Sequence, residues 1–279
     1  MKHREFIVTR EISERFEQLC HQLVCEPDSD SDLLPVGKSL ADVTAQLRAD
    51  SSLRELIASL TAVSKEDGFV LVRGLEFDPE NKILIALAGL FGKPIKYFGQ
   101  PLIRDIKPEK GAASSNISGH IDEYPLHTDK SFAHDPPPYF ILQCVQPDRG
   151  GHGTSIVSDA REAYALIDPS DRRVLREVPL SIKLPDHIPG SDHFQAYIVT
   201  GKVGQEKFRF RYDEMVSQVT TPELREAMKR FYQALLDVKK ERLLKPHDAA
   251  IIDNFRVLHT RTRLSGYDSP RHLKRIYVG

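Results

Sequence analysis

The sequence predicts a mainly β protein of the α+β class: a β-sandwich or jelly roll with helices packed outside it. Three observations carry this. Many short β-branched runs are bounded by Gly, Pro and Asp, as strands are. They do not alternate regularly with helices, and no internal repeat is present. No Gly-x-Gly-x-x-Gly follows a strand, which disfavours a doubly wound nucleotide-binding fold. With 279 residues, the chain can bury a substantial core as one elaborated domain or at most two.

Taken in order, residues 1–65 read as a helical support. Ile12, Phe16, Leu19 and Leu23 recur at helical spacing, an acidic run at 28–32 reads as a solvated loop, and helices are expected over 40–47 and 53–63. The core, 66–279, begins at Gly68-Phe69-Val70-Leu71-Val72-Arg73-Gly74, a buried strand between glycines. Pro79 to Phe91 is a helix stopped by Gly92 and Pro94. Residues 100–122 are polar and rich in Gly and Ser, and are expected to form a lid loop. Strands are expected at 139–145 and 154–157, with a helix capped by Ser158 or Asp159. A helical insertion occupies 158–245, and its 178–220 part holds short strands such as Lys207-Phe208-Arg209-Phe210-Arg211-Tyr212. Pro222 opens the strongest helix, with Thr220 and Glu223 spaced as a capping box. Its inward stripe is Leu224, Met228, Phe231, Leu235 and Val238. Ala249–Ile252 is a buried strand expected to deliver Asn254 and His259, and the last strand is 273–278.

The formal net charge of −1 argues against nucleic acid or an anionic membrane as partner. No window approaches a membrane span, and Met1-Lys2-His3-Arg4-Glu5 has no signal-peptide apolar region. Cys20, Cys25 and Cys144 are odd in number and lack Cys-x-x-Cys spacing, so disulfides and zinc are not expected and a cytoplasmic location is. Nothing in the sequence fixes an oligomeric state.

The chemistry concentrates in His127-Thr128-Asp129. On an extended strand, residues two apart point to one face. His259 would add a second imidazole, giving two neutral nitrogens and one carboxylate. That set suits non-heme Fe(II) and leaves positions open for substrate and O2. A second His-x-Asp, His120-Ile121-Asp122, lies in the Gly/Ser-rich loop, whereas Pro125-Leu126 and Ser131-Phe132 place His127 and Asp129 at an ordered strand end. No His-Glu-x-x-His helix supports a zinc hydrolase.

Four motifs stand in order: His127-Thr128-Asp129; Gly150-Gly151-x-x-Thr154; Asp253-Asn254-x-Arg256-Val257-Leu258-His259-x-Arg261; and Arg271-His272-Leu273-x-x-Ile276-Tyr277. From Gly68 onward the chain resembles Fe(II)- and 2-oxoglutarate-dependent oxygenases of the taurine dioxygenase and gamma-butyrobetaine hydroxylase type, the clavaminate synthase-like family. The resemblance implies a cupin-like double-stranded β-helix with iron held by His127, Asp129 and His259. It implies that Thr154 and Arg271 bind the distal carboxylate of 2-oxoglutarate. A guanidinium grips a carboxylate with two prongs, which a lysine cannot copy. Arg275, four residues on, is expected to reach substrate or the inner end of the cosubstrate. The turn Gly150-Gly151-His152-Gly153-Thr154 is one residue longer than the family's Gly-Gly-Asp-Thr, which makes Ser155 an alternative to Thr154. The presence of Asp129 argues against a halogenase.

The resemblance implies a dioxygenase that takes Fe(II), 2-oxoglutarate and O2, releases succinate and CO2, and most simply hydroxylates an unactivated C–H bond. Desaturation, epoxidation and cyclisation share the same metal ligands. Asn116, His120, Glu123, Arg209, Arg211 and Arg275 are the substrate-binding candidates. The several cations among them favour a small polar substrate that is anionic or zwitterionic, amino-acid-like or from secondary metabolism. The absence of Trp weakens the case for a quaternary ammonium. The rival reading is a non-catalytic jelly-roll protein that binds a metal and a small acid. Asn254 and Arg256 are expected to make structural hydrogen bonds beside the metal strand.

Overall fold

A computed structural model gives the fold, describing residues 5–24, 38–97, 99–112, 117–184 and 193–279. The acidic run at 28–32, Cys25 and the candidate Asn116 lie outside the described residues. The chain opens with β1 (Glu5–Ile7), α1 (Arg10–Cys20), α2 (Leu40–Ala49) and α3 (Arg54–Asp67). Thr9 caps α1, and Ser39 with Asp42 completes a capping box on α2, satisfying amides that the first helical turn leaves open. β2 (Phe69–Arg73), α4 (Lys82–Gly89), β3 (Pro94–Ile95), β4 (Ile103–Ile106), β5 (Tyr139–Gln146) and β6 (Ser155–Asp159) follow. Next come α5 (Ala160–Leu166), α6 (Pro169–Glu177), the pair β7 (Leu180–Lys183) and β8 (His193–Ala196), and the pair β9 (Val199–Thr200) and β10 (Lys207–Phe208). α7 (Tyr212–Met215), α8 (Pro222–Val238), β11 (Lys240–Arg242), β12 (Ala249–Asp253), β13 (Val257–Arg261) and β14 (His272–Val278) complete the chain.

Two sheets face each other. The larger runs β1-β2-β12-β5-β14-β3 with β4 also paired to β14, and the smaller is β11-β6-β13. Strand alternation sorts side chains to the two faces of each sheet. On the larger sheet Val70, Val72, Ala249, Ile251, Ile141, Ile276 and Val278 join Phe16, Leu47, Leu60 and Leu84 of α1–α4 in one core. The opposite face contributes Phe69, Leu71, Phe140, Leu142, Ala250, Ile252, Leu273 and Tyr277, which meet Val157 and Val257 of the smaller sheet. Behind the smaller sheet, Ile156 and Leu258 pack on Ala163, Leu175, Leu224, Met228, Phe231 and Leu235 of α5, α6 and α8. The result is helix, sheet, sheet, helix, with the functional cavity between the sheets: the jelly roll expected from the sequence. Among the described residues no helix is long and apolar enough to cross a membrane.

Several expectations are corrected. Within 100–122, Ile103–Ile106 is not loop but strand β4, an edge strand on β14; its charged residues are tolerated because one long edge stays open. His259 is not carried on the strand of Ala249–Ile252: the chain crosses through a turn at 254–256 and places His259 on β13 in the opposite sheet. The alternating run 207–212 forms a strand only at Lys207–Phe208, because Tyr212 starts α7. The N-cap of α8 is Thr221, not Thr220, and it makes no side-chain capping bond; Pro222 at the first helical position removes an amide that would need one.

Candidate metal and cosubstrate site

The three predicted ligands arrive from two directions. His127 and His259 exchange backbone hydrogen bonds (3.2 and 3.0 Å), so they sit directly opposite each other and their rings lie 4.4 Å apart. On its other side the segment is held by the Thr128 amide donating to Phe210 O (2.9 Å) and by a bridge between His127 and Arg211. The 126–129 segment thus extends the smaller sheet beyond β13 without forming a regular strand. One ligand atom from each of His127, Asp129 and His259 lies within 4.8 Å of the others, and all three residues are buried.

The surroundings define protonation. His127 Nδ1 lies 3.1 Å from Pro125 O; that contact places the proton on Nδ1 and leaves the Nε2 lone pair facing the cluster, 3.5 Å from Asp129 Oδ1. Burial drives the His259 imidazole down to about 3, so it is neutral near pH 7. Burial alone would raise the Asp129 carboxyl, but Arg275 and the two imidazoles hold it well below the usual carboxylate range. The Arg275 guanidinium donates to Asp129 Oδ2 at 2.9 Å, and the Tyr277 hydroxyl donates to the same oxygen at 3.1 Å. That leaves Oδ1, the oxygen nearer the histidines, for a metal. Asn254, fully buried, accepts from the Asp129 amide (2.7 Å) and donates to Asp129 O (2.9 Å) and Pro137 O (2.9 Å). These are the structural hydrogen bonds expected of Asn254. Arg256 makes the corresponding buried contact to Asp159, at 2.6 Å.

The donor set therefore fits an iron(II) ion: two neutral nitrogens, one carboxylate and a buried pocket beside them. That pocket is a cavity of about 210 Å³ between the sheets. Its apolar wall includes Phe69, Leu142, Val157, Leu244, Ile252 and Leu273. Arg271 also lines the cavity, nearly fully buried, and burial lowers its guanidinium to about 10. Among the described residues no carboxylate forms an ion pair with it. Gly153 holds it there: at φ +63 that residue brings its backbone so close that a Cβ would lie 2.8 Å from Arg271 Cδ. A side chain at position 153 would therefore crowd both Arg271 and Leu264.

Among the other candidates, Arg211 and Arg275 line the cavity and Thr154, His120, Glu123 and Arg209 do not. The Thr154 hydroxyl is donated to Gly151 O at 2.6 Å, while Ser155, the next residue and on the face of β6 shared with Val157, lines the cavity. His120 contributes its backbone oxygen to Arg261, and Glu123 is exposed. Arg209 ties down the segment after the ligands, donating to Ser131 O (2.9 Å), Ala133 O and His134 O (2.9 Å). Sequence reasoning assigned no role to Tyr277, Arg104, Lys130 or Glu214, all of which line the cavity. Tyr277 was reachable: it stands two residues after Arg275 on one strand. Arg104 was hidden inside the presumed loop.

A family model described as "Taurine catabolism dioxygenase TauD, TfdA family" matches residues 29–277. Clavaminate synthase 2 of Streptomyces clavuligerus is 29% identical over 267 residues, covering 84% of this chain and 81% of the relative. Among solved structures, asparagine oxygenase in complex with Fe(II), 2S,3S-3-hydroxyasparagine and succinate aligns with a TM-score of 0.81 at 19% identity, over 98% of this chain and 93% of that one. The non-heme iron oxygenase OrfP, in complex with Fe, succinate and (3R,4R)-dihydroxy-L-Arg, aligns with a TM-score of 0.78 at 17% identity, over 99% and 94%.

Proposed function

The chain belongs to the taurine catabolism dioxygenase TauD, TfdA family and is a non-heme iron, 2-oxoglutarate-dependent dioxygenase, and from that premise we propose that it hydroxylates an unactivated C–H bond of a small, polar, amino-acid-like substrate. The observation that carries the reading is the meeting of His127, Asp129 and His259 at one cavity with the buried Arg271. Asparagine oxygenase and OrfP, whose complexes hold a hydroxylated asparagine and a dihydroxylated arginine, make amino-acid hydroxylation the outcome most consistent with the fold.

In this reading His127 Nε2, Asp129 Oδ1 and a His259 ring nitrogen hold the iron. Bound iron and 2-oxoglutarate supply the oxidising power, drawn from O2 with release of succinate and CO2. Arg271 grips the far carboxylate of 2-oxoglutarate with its planar fork, and Ser155, rather than Thr154, offers that carboxylate a hydroxyl. Arg275 and Tyr277 fix the Asp129 carboxylate so that one oxygen stays turned to the metal. Arg275 is also close enough to the ligands to meet substrate. The apolar wall of Phe69, Leu142, Val157 and Ile252 excludes water from the reacting carbon.

An anaerobic titration of purified apoprotein with Fe(II) and then 2-oxoglutarate tests this. A visible metal-to-ligand charge-transfer band is expected in the wild type, absent in His127→Ala and weakened in Arg271→Ala. Substrate is then sought among amino acids by 2-oxoglutarate-dependent O2 uptake. A folded, iron-loaded protein without the band would overturn the assignment of the site residues, and a band with no stimulated succinate release from any amino acid would overturn the amino-acid-like substrate.

A further inference from the structure

In the motif Asp253-Asn254-x-Arg256-Val257-Leu258-His259-x-Arg261, Asn254 and Arg256 make structural bonds and His259 faces the metal site, which leaves Arg261. We propose that Arg261 is a positioning residue for the proposed iron site, on which this inference rests: it holds Tyr124 against His127 and so fixes the direction of the metal-binding nitrogen. Arg261 stands two residues after His259 on β13, so the two side chains share a face, and both line the cavity. Its side chain is the largest fully buried one among the described residues. The guanidinium gathers the segment that leads into the ligands. It donates to Ile121 O (3.2 Å), Asp122 O (3.0 Å) and His120 O, and to the adjacent Thr262 O (3.1 Å). Bonds from an ionised donor are roughly twice as strong as neutral ones. Two more bonds tie down the same segment: the Leu264 amide donates to Ile121 O (2.8 Å) and the Thr260 hydroxyl to Tyr124 O.

From the guanidinium the contacts lead to His127. Arg261 Cζ lies over the Tyr124 ring, 5.1 Å from its centre. That ring lies 5.3 Å from the His127 ring, tilted by 57°. Three contacts therefore fix the His127 imidazole: the His259 ring at 4.4 Å, the Tyr124 ring, and Pro125 O at 3.1 Å from Nδ1. Two of the three come from residues 124 and 125, directly after the carbonyls that Arg261 gathers. Tilted aromatic contacts have preferred geometries, and a cation over the ring face strengthens the hold on Tyr124. Losing Arg261 would release Tyr124, and a released Tyr124 would let the imidazole turn away from the metal. A lysine would replace Arg261 only in part, because an ammonium has neither a plane to lay on the ring nor a fork to reach successive carbonyls.

The test titrates Co(II), whose visible d–d bands report ligand geometry, into the full-length apoprotein, with calorimetry for affinity and thermal melts for folding. Arg261→Gln and Tyr124→Leu should each weaken Co(II) binding about tenfold, the scale for partners that orient a metal-binding histidine, and each should alter the d–d bands. Tyr124→Phe keeps the ring and should retain both properties, while Arg261→Lys should retain part of the affinity. The double variant Arg261→Gln/Tyr124→Leu should lose little more than either single one, because the two residues act along one path. Losses that simply multiply would make Arg261 a stabiliser of its segment alone and overturn the proposal. An unchanged affinity and spectrum in Tyr124→Leu would overturn it too, and with Arg261→Lys decides the matter if Arg261→Gln does not fold. A wild-type protein that binds Co(II) no better than His127→Ala would overturn the metal-site premise instead, and the inference with it.

Discussion

At the scale of single residues, Asp129 depends on what surrounds it as much as on its place in the sequence. Its outer oxygen receives both Arg275 and Tyr277. Tyr277→Phe removes one donor and no volume, so Fe(II) or Co(II) affinity should fall about tenfold, at the low end for partners that orient a metal ligand, with the melting temperature little changed. Arg275→Leu leaves a buried carboxylate without its counter-charge, and breaking such a pair costs about 3–5 kcal/mol. Thermal melts of the apoprotein should show that loss, and bound metal should recover part of it. Gly153→Ala sets a methyl against Arg271 Cδ at a backbone angle that L-residues rarely adopt. Its expected signature is weaker 2-oxoglutarate binding, by about tenfold or more, with Fe(II) affinity retained; calorimetry separates the two. These residues also mark how far the sequence can be read. His127, Asp129 and His259 were legible because a metal face demands particular side chains at particular spacings. That Ser155 and not Thr154 lines the cavity was not legible, because only the pairing of β6 fixes which of the two neighbours faces inward.

At the scale of elements, the turn between β12 and β13 carries the chain from the larger sheet to the smaller. Its two polar residues hold both ends: Asn254 clamps the backbone of Asp129, and Arg256 is bonded to Asp159 and to the Glu66 carbonyl at the end of α3. Asn254→Ala strands a buried amide and two carbonyls. At roughly 1–3 kcal/mol for each unsatisfied group, it should destabilise the fold by several kcal/mol in denaturant melts and loosen the metal segment, lowering metal affinity as well. Asn254→Asp keeps the acceptor but loses both donations, so it should not rescue either property. The sequence identified Asn254 and Arg256 as structural residues, but read their strand as continuous with that of His259. An apolar run followed by a ligand looks the same whether the chain goes straight or crosses between sheets. The change of sheet appears only when β13 pairs with β6. The edge strand β4 was missed for a related reason: its isoleucines are flanked by charge, and only its partner β14 makes it a strand.

At the scale of the whole molecule, a metal would join the two sheets. His259 belongs to the smaller one, His127 and Asp129 to the segment that extends it, and Asp129 is bonded to Arg275 and Tyr277 on the larger. Binding should therefore stabilise the entire domain, by about 2.7 kcal/mol when free metal is a hundred times its dissociation constant. The pH dependence follows from His259, whose imidazole is held at about 3 by burial against about 6.5 when unfolded. With the folded value depressed, the unfolded chain binds the proton more readily. The stability contributed by keeping this ring neutral is complete above about pH 6.5 and is lost as pH falls toward 3, by about 1.4 kcal/mol per pH unit within that window. Protons also compete with the metal for the same nitrogens, so the metal-dependent increment should shrink over the same range. Melting curves of apo and Fe(II)-loaded protein from pH 7.5 to 4.5, under argon, should therefore fall together and converge. A His259→Gln variant removes this imidazole, so its melting temperature should fall less steeply from pH 6.5 downward and gain little from metal. An unchanged slope in that variant would place the acid sensitivity on other groups and would separate the metal site from the stability of the sandwich.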